Sequence, residues 1–130
     1  MSLTVPDELV TAAERGHVDD GAFLACVRDS LPYAYGLVER LAGELPAAGR
    51  DFADNLVPPS DEKARGQLLR ALASNAIRGA LERRFGVVLA FQNCHRLAVF
   101  RPETVGGEQY RRFVSVEGQV LNQQPEFVDC

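Results

Sequence analysis

Apolar residues recur every three or four positions through the first two thirds of the chain, and beyond Gly86 they alternate or run together, so helices give way to strands. Pro6 to Arg15 reads as a short helix, with Pro6 near its start, Asp7 and Glu8 in a first turn that favours anions, and Gly16 after its end. Asp19 and Asp20 offer caps for a second helix carrying Phe23, Leu24, Val27 and Leu31 at helical spacing. Pro32 interrupts it, and Tyr35, Val38, Leu41, Ala42 and Leu45 continue the stripe in a third helix set at an angle. Residues 46–59 combine Pro, Gly and Asp and read as a surface connection pinned by Phe52 and Leu56. Ser60 or Asp61 then opens the longest predicted helix, which runs to about Arg84 and stops at Gly86. Leu69, Leu72, Ala73, Ala76, Ile77, Ala80 and Leu81 give it one broad apolar face.

After Gly86 the runs VVLAFQN, HRLAVFR and YRRFVSVEGQVL are rich in β-branched and aromatic residues, and three antiparallel strands are the simplest layout. Asn93-Cys94 supplies the first turn and Gly106-Gly107 the second. The expected fold is therefore α+β, about four helices on a small three-stranded antiparallel sheet, in a single domain spanning residues 1–130.

Composition narrows the classes without choosing one. A chain of 130 residues, 46% hydrophobic and 25% charged, can bury a core without disulfide or metal staples. The start SLTVPDELV has neither a basic segment nor a long apolar one, and no run approaches the roughly 18 apolar residues of a membrane span, so a cytoplasmic location and no membrane partner are expected. Residues 1–62 carry 12 acids against 4 bases and residues 63–130 carry 6 against 10, which makes the halves electrostatically complementary. With an acidic whole and no basic run longer than two residues, no nucleic-acid partner is expected.

Candidate chemistry is sparse. Cys94 and His95 adjoin, but neighbours on a strand point to opposite faces, and a thiol nucleophile also needs a base and an orienting group. A hairpin corner with an incidental thiol is favoured over a thiol enzyme. Cys26, Cys94 and Cys130 show no CxxC spacing, and a metal would have to join His17 to His95 or to distant acids, so neither metal nor cofactor is expected. Asp19, Asp20, Asp51 and Asp54 fit helix capping and loop solvation better than acid–base work. No catalytic residue is assigned. Aromatic bodies with polar tips, together with arginines able to fork onto carboxylates, suit a groove that holds a peptide, and Tyr33, Tyr35, Arg70, Arg78, Phe91, Arg96 and Phe100 are its candidate lining.

The segments HVDDGAFLACVRDSLPYAYGLVERLAGEL (17–45) and ALASNAIRGALERRFGVVLAFQNCHRLAVF (71–100) resemble the lysinoalanine-forming maturation proteins of duramycin- and cinnamycin-type lanthipeptide biosynthesis. That resemblance implies a homodimer that folds a modified peptide so that a lysine amine adds to a dehydroalanine, with the peptide's hydroxylated aspartate as base. An amine with a reference pKa of about 10.4 needs that base, and positioning can supply roughly 7–11 kcal/mol of barrier reduction. The competing expectation is a non-enzymatic interaction module, an immunity or regulatory dimer that uses the same groove or sheet edge.

Overall fold

The computed structural model describes residues 2–93 and 95–122. Among them the order of elements is α1 (Asp7–Glu14), α2 (Asp20–Ser30), α3 (Pro32–Glu44), β1 (Phe52–Asp54), α4 (Glu62–Leu72), α5 (Asn75–Phe85), β2 (Val88–Gln92), β3 (Arg96–Phe100), α6 (Glu108–Phe113) and α7 (Val116–Leu121). The class is α+β with a three-stranded antiparallel sheet, as expected, but seven α-helices are described rather than about four.

Local chemistry sets the first boundaries. The Asp19 carboxylate accepts from Ala22 N at 3.0 Å and caps α2, while Pro32, which cannot continue that helix, takes the first turn of α3. Leu31 provides no side-chain cap for α3. Instead Gln67 of α4, itself buried, accepts from Tyr33 N at 2.7 Å and Ala34 N at 3.2 Å, which satisfies two open amides and ties α4 to α3.

Three expectations need correction. The long helix predicted over 60–84 is two helices, because Ser74 ends the run by capping α5 through Ile77 N at 3.2 Å. The connector at 46–59 contains β1, which pairs with β3 as Phe52↔Phe100, Ala53↔Val99 and Asp54↔Ala98. The third strand expected after Gly107 is instead α6 and α7, the latter capped by Ser115 through Gly118 N at 2.9 Å. Gly118 permits this turn, since a Cβ there would lie 2.3 Å from the Arg112 carbonyl oxygen.

β3 is central, in the order β1-β3-β2, and its Leu97, Ala98, Val99 and Phe100 are all fully buried. Both faces of the sheet are covered. Ala53, Leu89, Leu97 and Val99 join the core formed with α2, α3, α4 and α5. On the opposite face Phe52, Ala90, Ala98 and Phe100 pack with Phe113 of α6. Asn55 closes the end of the sheet, accepting from Leu97 N and donating to the His95 carbonyl, both at 2.7 Å. Among the described residues no helix is long and apolar enough to cross a membrane.

Candidate functional site

The face of the sheet turned toward α6 and α7 supports a cleft of about 550 Å³. Its floor follows from the two-residue period of the strands. Arg96 and Ala98 point to the same side of β3, Asp54 lies opposite Ala98 on β1, and Arg96 therefore reaches Asp54 along the diagonal. The Asp54 side chain is only 1% exposed. Its Oδ2 accepts from Arg96 Nε at 3.0 Å and Nη2 at 2.6 Å, and its Oδ1 accepts from Arg50 Nη2 at 2.7 Å.

Aromatic rings hold the same two arginines from the other side. The Arg50 guanidinium carbon lies 4.2 Å from the centroid of Phe52, and that of Arg96 lies 5.2 Å from the centroid of Phe113. With side chains 40% and 29% exposed, Arg50 and Arg96 still reach the cleft, where their unused N–H groups are available. Two cations share one carboxylate, so one positive charge at the floor has no counter-ion in that cluster. Arg112 also lines the cleft but is paired with Glu108 at 2.7 Å. The amides of Gln92, Gln109 and Asn122 and the carboxylate of Glu117 complete the polar lining.

Loop closure positions the cluster. Arg101 donates to the carbonyls of Arg50 and Leu45 at 2.9 and 2.8 Å, and Gln109 of α6 accepts from Asp51 N at 3.0 Å, so the segment entering β1 is fixed from both sides. On the roof, Gln92 donates to the Phe113 carbonyl and Asn122 donates to Gln92.

The candidate residues read from the sequence do not share one groove. Arg96 alone of the seven lines this cleft. Phe91 borders a neighbouring depression beneath α7, and Tyr33 borders a third between α3 and residues 57–60. Phe100 is fully buried among Phe52, Tyr110 and Phe113, and Tyr35 packs edge-on against Phe85 in the helical core. Arg78 is occupied at the turn between α4 and α5, donating to the Leu72 carbonyl and to Asn75. Arg70 stands in the last turn of α4, away from the cleft lining.

Reasoning from the sequence missed Arg50 and Asp54. Asp54 is a buried ion-pair acceptor rather than the solvated loop acid that was expected. His95 is buried at the corner between β2 and β3, whereas Cys94 and Cys130 lie outside the described residues. Cys26 is buried and its thiol donates to the Thr4 carbonyl at 3.4 Å. Burial pushes the Tyr33 phenol above its ordinary pKa. Among the described residues no group of three or more His, Cys, Asp or Glu is placed to hold a metal ion.

Comparison with known proteins gives one family. The family model KH_NucS_shadow, described as NucS shadow ORF, matches residues 1–130, and the chain belongs to that family. No curated protein and no solved structure matches it. The family overturns the resemblance to lanthipeptide maturation proteins. The segments that carried the resemblance are α2 with α3 and α5 with the β2–β3 hairpin, amphipathic elements whose texture many α+β chains share.

Proposed function

We propose that this member of the NucS shadow ORF family is a binding module, without a reaction of its own, that receives a segment of a protein partner in the cleft over the second face of the sheet. The observation that carries the reading is the pair of guanidiniums held by Asp54 against Phe52 and Phe113. Arginines fixed in place before binding lose little freedom when a ligand arrives, and such preorganisation favours affinity. Proton transfer needs a group that titrates near the working pH. The lining is mainly arginine, amide and apolar side chains, with Glu117 its one carboxylate. The family description names a reading frame rather than an activity, so it supplies neither ligand nor reaction.

The KH prefix of the family label bears on nucleic acid. KH domains clamp four backbone nucleotides with a Gly-x-x-Gly loop. In this chain two consecutive helices, α4 and α5, stand between β1 and the β2–β3 hairpin, and the turn joining them is Leu72-Ala73-Ser74-Asn75, which has no glycine. The polar groups of that turn are engaged by Ile77 N and by Arg78. At the start of β2, Leu89 N donates to the Glu82 carboxylate at 2.8 Å, so a phosphate backbone along this edge would meet an anion. These features favour a protein partner over a nucleic acid.

A panel of neutral, cationic and anionic organic fragments, titrated into the full chain and followed by amide chemical shifts, tests the site. Saturating shifts should cluster at Gln92, Phe113, Gly118 and Asn122. Shifts clustering instead around Tyr33 and Pro58, or at the α4–α5 turn, refute this assignment. Sedimentation equilibrium then tells whether the partner is a second copy of the chain.

A further inference from the structure

Resting on the reading of the cleft as the binding site, we propose that its ligand is an acidic peptide segment in which an Asp or Glu side chain adjoins an aromatic residue. The charge at the floor selects a monoanion. Asp54 offsets one of the two guanidiniums that it binds, which leaves an excess of one positive charge in the cluster at the floor, with Glu117 set apart in the wall.

The geometry selects a carboxylate. Arg50 gives Asp54 one N–H and Arg96 gives it two, so both retain donors in the planar fork that fits a carboxylate through paired bonds. A phosphate dianion would bring more charge than the floor can balance, and Glu117 in the wall repels a dianion about twice as strongly as it repels a carboxylate.

The neighbours of the cation pair select what accompanies the carboxylate. Phe52, Phe113 and Leu121 line the same cleft, and an aromatic side chain beside the acid can pack on this apolar wall. The amide N–H groups of Gln109 and the side-chain oxygen of Asn122 can pair with peptide carbonyl and N–H groups, which a lone aromatic acid would leave unused, while Gln92 is already engaged by Phe113 and Asn122. A volume of about 550 Å³ lies within the range of sites that enclose a drug-sized ligand, the scale of a short peptide segment.

The test uses two synthetic dipeptides, N-acetyl-Asp-Phe-amide and its neutral isostere N-acetyl-Asn-Phe-amide, with inorganic phosphate as a third probe. Each is titrated into the full chain and followed at the amides of Gln92, Phe113 and Asn122. The Asp peptide should bind saturably and the Asn peptide at least tenfold more weakly. Phosphate should give no saturating shift at these amides. Arg50→Gln should weaken the Asp peptide at least tenfold, and Arg50→Lys, which keeps the charge and loses the fork, should fall between.

Equal binding of the two dipeptides overturns the carboxylate assignment while leaving the cleft as the binding site. Phosphate binding as tight as that of the Asp peptide overturns it in favour of a general anion site. If the fragment panel marks the cleft and neither dipeptide does, the acidic-peptide proposal alone fails. If no probe of any kind marks the cleft, the reading of the site fails with it. The dipeptide comparison is made on the unaltered protein, so the test stands even if an Arg50 variant does not fold.

Discussion

Phe100→Ala separates a groove aromatic from a core aromatic most directly. The ring is fully buried on β3, with centroids of Phe52 at 4.9 Å, Tyr110 at 5.0 Å and Phe113 at 5.8 Å. Truncating a buried Phe costs about 3–5 kcal/mol, and aromatic pairs each add roughly 0.5–1.5 kcal/mol beyond their burial, so losing three such contacts places this site toward the upper end. Such a loss is a large share of the roughly 5–15 kcal/mol that holds an ordinary domain together. With a urea slope of about 2 kcal/mol per molar, a loss of about 4–5 kcal/mol lowers the unfolding midpoint by roughly 2–2.5 M. The chain contains no Trp, so unfolding is followed by far-ultraviolet circular dichroism. A midpoint within about 0.5 M of the parent, together with lost binding of the Asp dipeptide, would refute the packing argument and return Phe100 to the ligand surface.

Other perturbations test the scaffold. Ser74→Ala removes the cap that separates α5 from α4 and should cost about 1 kcal/mol in urea unfolding, and an unchanged midpoint would mean that the cap contributes nothing. Gln67→Ala strips the acceptor from Tyr33 N and Ala34 N and should cost about 1–3 kcal/mol, with faster hydrogen exchange at Ala34; exchange unaltered at that amide would count against the tie. The Arg83 guanidinium, chiefly through its hydrogen bond, holds the Asp20 carboxyl below its usual pKa range, so the pair's contribution is present above the ordinary carboxylate pKa and is lost as pH falls through the lowered folded value. Arg83→Gln should raise the Asp20 pKa in a carbon-detected titration, and a pKa that stays low would assign the shift to another source.

Elements set by neighbouring residues were legible in the sequence. Asp19, Pro32 and Gly86 act within one turn of themselves, and α2, α3, the end of α5 and the β2–β3 hairpin lie where these residues indicate. Ser74 is also a local signal, but it was outweighed by the unbroken apolar stripe on either side of it. β1 was not legible, because three residues in a Pro-containing connector become a strand only by pairing with β3, more than 40 positions away. The run YRRFVSV reads as a strand by propensity, yet it forms parts of α6 and α7. Helices of six residues are too short for intrinsic preference to decide, and burial of Phe113 against the second face of the sheet decides instead. Both missed elements border the cleft, so Arg50 and Asp54 were missed with them.

The charge asymmetry between the two halves of the chain connects these observations. Asp20 in the acidic half pairs with Arg83 in the basic half, and Asp54 pairs with Arg96 across 42 positions, so the excess charge of each half is partly spent on holding the halves together. Arg50, like Arg28 and Arg40, pairs within its own half, but its acid is shared. It is one of only four bases in the acidic half, and it binds an acid that Arg96 already neutralises. A second guanidinium on a satisfied carboxylate gains less than the first, because the two cations repel each other across the anion that they share. The Asp54 bond and the stack on Phe52 fix Arg50 in place, and under the proposed reading its remaining N–H groups meet a ligand that brings its own negative charge to the open side of the pair. The same buried acid therefore has two roles: it secures β1 to β3 through Arg96 and aims Arg50 into the cleft.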